Sequence, residues 1–171
     1  MSFLTEPSSC YKESFLEGLH EFQKEGRLLQ YDAQRIAENF EQFLQKELAQ
    51  RNPGRTMPGR VPQVDFWLID NHEYIGLLSV RLVLNDFLLR IGGNIGYQIR
   101  PSRRRRGYGK EILRLGLQKA RELGVPRALV TCDENNIGSK KVIEYNGGKF
   151  ENAIDVVGSP VKKLRYWIDL C

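Results

Sequence analysis

The stretch from Arg100 to Lys110, RPSRRRRGYGK, concentrates residue types that hold a phosphate anion. Gly107 and Gly109 stand one residue apart behind the consecutive arginines Arg103, Arg104, Arg105 and Arg106, with Arg100 just upstream. Pro101 closes the apolar stretch before them and an amphipathic pattern follows, so the glycines fall where a strand gives way to a helix. The first turn of a helix leaves N–H groups without partners, and the helix dipole adds positive potential there. Glycine lets the main chain approach a ligand without a Cβ in the way, and guanidinium groups add charge-assisted hydrogen bonds. Such a junction reads as a pyrophosphate cradle. A plain turn beside a solvated basic face is the bland alternative.

Two other phosphate motifs fail on single residues. A P-loop ending at Lys110 needs a glycine at position 104 and Ser or Thr next, where the chain has Arg104 and Glu111. A dinucleotide fingerprint needs a third glycine where Ile112 stands.

The run Arg104-Arg105-Arg106-Gly107-Tyr108-Gly109 instead resembles the coenzyme A loop of the GNAT superfamily of N-acetyltransferases: Gln or Arg, two residues, Gly, one residue, Gly or Ala. A second element of that family lies at the matching distance, as Asn136-Ile137-Gly138-Ser139, then Lys140 to Asn146, then Gly147-Gly148. The resemblance spans residues 65–170. It implies an α/β fold with a mixed, mostly antiparallel sheet splayed between its fourth and fifth strands, helices on both faces, and acetyl-CoA as cosubstrate. Carried over by position, it implies that Gln98 and Ile99 offer main-chain groups to the pantetheine arm. Amides of Arg104, Arg105, Arg106, Gly107, Tyr108, Gly109 and Lys110 would hold the pyrophosphate. Asn136, with Ser139 beside it, would meet pantetheine where the strands part; Asn136 also suits a helix N-cap.

The resemblance implies transfer of an acetyl or longer acyl group to a primary amine by direct attack. An amine must be neutral to attack, so a base or a dry pocket is required. A strand amide near Tyr97 to Ile99 suits the oxyanion. Here the chain departs from the pattern. The tyrosine acid that many members place four residues after the small residue is Ile143, and the glutamate that some place five residues before the asparagine is Thr131. Tyr145, Asp133 and Glu73 are the remaining catalytic candidates, with Asp86 and Glu134 as further carboxylates. Tyr145 sits two residues beyond Ile143, on another side of its helix. Cys132 has no histidine near it in sequence, since His20 and His72 lie elsewhere, and reads as a buried structural thiol. Arg81 and Asn85, near a strand end, are candidates for the acceptor.

These groups need a frame. Apolar spacing at Tyr11, Phe15, Leu19 and Phe22 predicts a first helix. Asp32 caps a second one, with the stripe Ile36, Phe40, Phe43, Leu44 and Leu48. A Pro/Gly-rich loop, 52–62, follows. Strands are expected at 64–69 and 74–84 around a turn at 70–73, then at 94–100, 128–132, 150–157 and 161–168, with helices at 107–123 and 139–145. The reading is one N-acetyltransferase domain over 1–171, with N-terminal helices in 1–50 and an acyl-CoA-binding core in 64–171.

At 171 residues, 41% hydrophobic and 27% charged, the composition is that of a globular domain. No apolar run reaches the roughly 20 residues of a membrane span, and the N-terminus lacks the pattern of a signal peptide. Three widely spaced cysteines give neither a disulfide framework nor a zinc site, so no metal and a cytoplasmic location are expected. The net charge of +5 suits a polyanionic ligand without naming it. A small-molecule or peptide amine is the expected acceptor, with no membrane partner, and a homodimer is compatible. Two other classes remain open: a catalytically silent acyl-CoA-binding module, and a nucleic-acid-binding domain using Arg103–Arg106, disfavoured because aromatics are not interleaved there.

Overall fold

The computed structural model describes residues 1–171. In chain order the elements are β1 (Phe3–Thr5), α1 (Lys12–Lys24), α2 (Ala33–Glu38), α3 (Phe40–Ala49), β2 (Gln63–Asp70), β3 (Glu73–Arg81), β4 (Ile95–Ile99), α4 (Tyr108–Glu122), β5 (Arg127–Asp133), α5 (Ile137–Tyr145), β6 (Lys149–Ile154) and β7 (Lys163–Asp169). Strands β1 to β4 pair antiparallel in chain order, and β5, β7 and β6 form a second antiparallel sheet.

The structure departs from the sequence reading at several local points. β1, too short to show a period, pairs Leu4 with Leu68 and makes Ile95–Ile99 the fourth strand. Asp32 caps α2 through Arg35 N–H as expected, but the expected long helix breaks at Asn39 (φ −126°, ψ 45°). The Asn39 amide donates to the Arg35 carbonyl at 3.2 Å, competing with the helical ladder. The hairpin turn is tighter than expected. Asn71 and His72 alone make it, at φ 48° and 63°, and Glu73 already pairs with Asp70 in β3. Leu88–Gly92 coil into a π-helical turn that no periodicity announced.

Alternation along β2, β3 and β4 builds two layers. Val64, Phe66, Leu68, Leu78, Val80 and Ile95 face α4, where Ile112 and Leu113 complete a core continuous with the second sheet. Burying side chains of this size stabilises by about 1.5–3 kcal/mol each. Trp67, Ile69 and Tyr74 face the other way, under Phe22 of α1 and Phe40 and Leu44 of α3. Phe15 stacks on Trp67 with ring centroids 4.5 Å apart. Further along this second face the apolar residues stop: Asp65 pairs with Ser79, and Gln63 with Arg81.

Beyond this shared core, the two sheets are joined by backbone hydrogen bonding at one point. Gly93, at φ 66°, brings the chain so close to β5 that a Cβ there would lie 2.4 Å from the Leu129 carbonyl oxygen. The next residue, buried Asn94, donates its N–H to that oxygen at 2.7 Å and accepts from Leu129 N–H at 2.8 Å through Oδ1. Its Nδ2 donates to the Arg81 carbonyl at 3.1 Å. Beyond this staple β4 and β5 belong to separate sheets.

Candidate active site

The parting of β4 from β5 opens a cleft of about 220 Å³ whose walls include Gly96, Tyr97, Cys132, Asn136, Ser139 and Arg81. Arg81 N–H bonds to the Asn94 carbonyl and Arg100 N–H to the Ile75 carbonyl, which sets the phase of the β3–β4 ladder. In an antiparallel ladder the bonded pairs alternate, so Gly96 and Gln98 spend their backbone groups on β3 while Tyr97 and Ile99 turn theirs into the cleft. Gln98, expected to offer a main-chain group, thus has its backbone engaged with β3, and the unengaged groups on this strand belong to Tyr97 and the Ile99 N–H. The Gln98 side chain accepts from Arg27 instead, at 3.1 Å. The Ile99 carbonyl is occupied by Arg104 Nε at 3.1 Å.

At the start of α4 the amides of Arg105, Arg106, Gly107, Tyr108 and Gly109 donate to no group of the chain. Arg105 (φ 61°) and Gly107 (φ 88°) are both left-handed, a conformation that gathers successive N–H groups into an anion-binding concavity. A Cβ at Gly107 would meet nothing within 4 Å. Gly109 is different: its Cβ would come within 3.1 Å of Val142, so it permits the close approach of α4 and α5.

The arginine run divides. Arg100 is buried and binds Glu21 at 2.7 Å and Glu17 at 3.2 Å, Arg103 binds Glu73 at 2.6 Å, and Arg104 grips Glu25 with both terminal nitrogens at 2.8 and 2.9 Å. Burial pushes the Glu21 carboxyl up, but hydrogen bonds from Ser102 and Arg100 outweigh this and hold it below its ordinary value. Arg105 and Arg106 are exposed and form no ion pair.

Other candidates find ordinary partners. Glu73 belongs to Arg103, and Asp133 to Lys163 at 2.6 Å. Tyr145 is 66% exposed with Lys110 Nζ 4.0 Å above its ring, while Ile143 is fully buried. Asn136 does cap α5, accepting from Ser139 N–H at 3.1 Å. Asn85 spans Gly59 and Leu88, and Arg81 donates to the Gly92 and Gly93 carbonyls. Burial, followed by the Asp133 charge, pushes the Cys132 thiol up to about 11, so it is inert near neutral pH.

Three polar groups were missed in the sequence. Tyr97 crosses the cleft to share a hydrogen bond with Ser139 Oγ at 2.9 Å, and burial pushes its hydroxyl up to about 12. Glu47 of α3 lies against Asp65 of β2. Burial, then the neighbouring Asp65 carboxylate, pushes Glu47 up to about 7. Asp65 is itself raised by burial, although Ser79 Oγ (2.5 Å) and Gln63 Nε2 (3.0 Å) donate to it. Ser79 and Gln63 partly offset the burial of Asp65, so Glu47 is the member of the pair that takes up a proton first. In the sequence Glu47 reads as one more charge on a helix, and only the packing of α3 on β2 reveals it.

A family model described as an acetyltransferase (GNAT) domain matches residues 12–149. The chain belongs to the GNAT acetyltransferase family. Acetyl transfer dependent on acetyl-CoA is that family's reaction and this chain's reaction class. Among solved structures, the microcin C7 self-immunity acetyltransferase MccE, in complex with acetyl-CoA and AMP, superposes with TM-score 0.68 at 13% identity, covering 98% of this chain and 92% of that one. The ribosomal L7/L12 α-N-protein acetyltransferase RimL, in complex with coenzyme A, gives 0.64 at 17% identity, over 97% and 92%. RimJ of Mycobacterium smegmatis gives 0.67 at 18%, over 97% and 80%. No curated protein matches the sequence. The GNAT sheet, splayed after its fourth strand and covered by helices on both faces, is the fold expected from the motifs. No helix is long and apolar enough to cross a membrane.

Proposed function

We propose that this GNAT chain, read as one domain over 1–171, transfers an acetyl group from acetyl-CoA directly to a primary amine while both are bound. The observation that carries the reading is the set of unpartnered amides from Arg105 to Gly109 at the start of α4, the helix that packs on β4 and α5, both of which line the cleft. These amides would hold the pyrophosphate, with Arg105 and Arg106 adding charge. Tyr97 and Ile99 would offer backbone groups along the pantetheine arm, and Asn136 would meet its far end. Bound acetyl-CoA supplies an activated thioester. A Tyr97 or Ile99 N–H turned into the cleft can stabilise the oxyanion. The Tyr97–Ser139 hydroxyl pair is placed to protonate the departing sulfur, in place of the tyrosine replaced by Ile143. The inert Cys132 thiol supports direct attack over an acyl-cysteine.

Relatives divide on the acceptor: RimL acts on a protein α-amine, whereas MccE is held with a nucleotide. We take a small-molecule or peptide amine as the acceptor. The nucleic-acid reading loses its basis, because Arg103 and Arg104 already neutralise carboxylates. A panel of primary amines scored by release of free CoA tests the proposal. Turnover of at least one is expected. Tight acetyl-CoA binding with no turnover of any would leave a silent binding module.

A further inference from the structure

A buried carboxyl beside a half-buried one needs a reason, because taking charge out of water is costly unless it is paired. Asp65 is 5% exposed, and Glu47 has no cationic partner within ion-pair distance. Their surroundings are mixed. Arg60 and Gln50 face Glu47, Arg81, Ser79 and Gln63 face Asp65, and Tyr31 lies near both, its hydroxyl pushed up to about 12 by burial and then by Glu47 and Asp65. Arg60 and Arg81 draw charge onto the pair, whereas burial and mutual repulsion favour keeping one proton.

Position singles this pair out. Asp65, Ser79 and Gly96 are successive partners across β2, β3 and β4, so they form one transverse row on the second face of the sheet. Gly96 lines the cleft and contributes no side chain; the Arg81 guanidinium lies over it, and the Ser79 hydroxyl is the neutral polar group of the row, next to Asp65. Two strand spacings, roughly 10 Å, separate the ends of the row. Glu47 also lines a pocket of about 630 Å³ between α3 and the 52–62 loop, which gives the pair access to solvent.

We propose that Glu47 and Asp65 together are the proton acceptor for the attacking amine, reached from the cleft at Gly96 through Ser79. The inference rests on the transferase reading above. The bound ammonium gives one proton, through the Ser79 hydroxyl, to the ionised carboxyl pair. The freed lone pair forms the C–N bond as the thioester C–S bond breaks, and the second proton of the amine nitrogen passes to the departing sulfur through the Tyr97–Ser139 hydroxyl pair. The carboxyl pair then returns its proton to solvent through the α3 pocket. Asp65 and Ser79 position and relay; Glu47 stores the proton.

The test compares n-butylamine, protonated at neutral pH, with methoxyamine, which is neutral there and needs no base. Both are used with saturating acetyl-CoA, first confirming that acetyl-CoA still raises the Tm of each variant. Glu47→Gln keeps a donor toward Asp65 but cannot store a proton. At pH 7 its kcat/KM should fall for n-butylamine at least about tenfold more than for methoxyamine. The rise of kcat/KM around neutral pH should vanish with it. Ser79→Ala, which leaves both carboxyls, should show the same discrimination. Equal losses with the two amines, or no loss with either, would overturn the proposal. If the wild type turns over no member of the primary-amine panel although it binds acetyl-CoA, the transferase reading fails and this inference with it; if it turns over other members but neither of these two, the pair of probes is replaced by a protonated and a neutral amine from among those accepted. Infrared spectroscopy gives a readout without turnover. A protonated-carboxyl band should persist at pH 6 in the wild type and be lost in Glu47→Gln, and its absence from the wild type overturns the proposal.

Discussion

On the α4 side of the β1–β4 sheet, the inward residues from Val64 to Ile95 are apolar and closed off from solvent. On the side of α1 and α3 the same strands pass from Trp67 and Ile69 to Asp65, Gln63, Ser79 and Arg81. The first face is a core, held by area. The second is a core at one end and a polar floor at the other. The cleft lies at the border of the two, since Tyr97 belongs to the first face and Gly96 to the second.

The sharpest break of this contrast is at the cradle, which neither face supports. Gly107→Trp forces a bulky residue into a left-handed turn and covers the free amides. Losing even two hydrogen bonds to a charged ligand should lower acetyl-CoA affinity by about a hundredfold or more. The ligand-induced rise in Tm should disappear while the protein stays folded. Gly109→Trp should instead damage the α4–α5 contact and lower the Tm of the free protein.

Next in size is the staple between the sheets. Asn94→Ala leaves the buried Leu129 N–H without its acceptor and the Arg81 carbonyl without a donor. The expected cost is about 2–4 kcal/mol, seen in thermal unfolding as a fall of roughly 5–12 °C. An unchanged Tm would mean that the sheets are held elsewhere.

The polar floor predicts an inverted pH response. Between the ordinary carboxyl value of 4.5 and about 7, folded Glu47 retains a proton that the unfolded chain has released. Its contribution to stability is therefore greatest at low pH and is lost as pH rises through that window. Glu47→Gln has no proton to release. It should be a few degrees more stable than the wild type at pH 8, with the difference closing toward pH 4.5.

Smaller effects separate the arginines. Arg105→Ala with Arg106→Ala should weaken acetyl-CoA binding by about three- to tenfold, less so in high salt, without changing Tm. Arg104→Ala should do the reverse, because its guanidinium holds Glu25 and the Ile99 carbonyl. Tyr145→Phe, at an exposed position, should alter kcat by no more than about twofold.

How far the sequence could be read follows the same division. Periodicity revealed the apolar face and most elements, because burial area is written residue by residue. The left-handed glycine turn into α4 and the Asn136 cap were visible because backbone geometry restricts which residue types serve there. Asn94, Tyr97 and the Glu47–Asp65 pair were not visible, since each acquires its role from a partner on a different element. The arginine run was visible, but its division was not: Arg103, Arg104 and Arg100 are spoken for only once Glu73 and α1 come beside them. The break at Asn39 and the turn at Leu88–Gly92 are backbone choices too local for any apolar period to mark.

Helix α1 presents Glu17, Glu21 and Glu25 on one side at four-residue spacing, where like charges disfavour the isolated helix. Their partners in the 100–104 segment lie 79 to 83 residues further along. During synthesis the acidic stripe is therefore made long before these partners, and closing so long a loop carries an entropic cost that local contacts do not. The apolar side of α1 rests on β2 and β3, but its acidic side is neutralised only by the segment that leads into α4, so the two ends of the chain's first hundred residues are locked by charge.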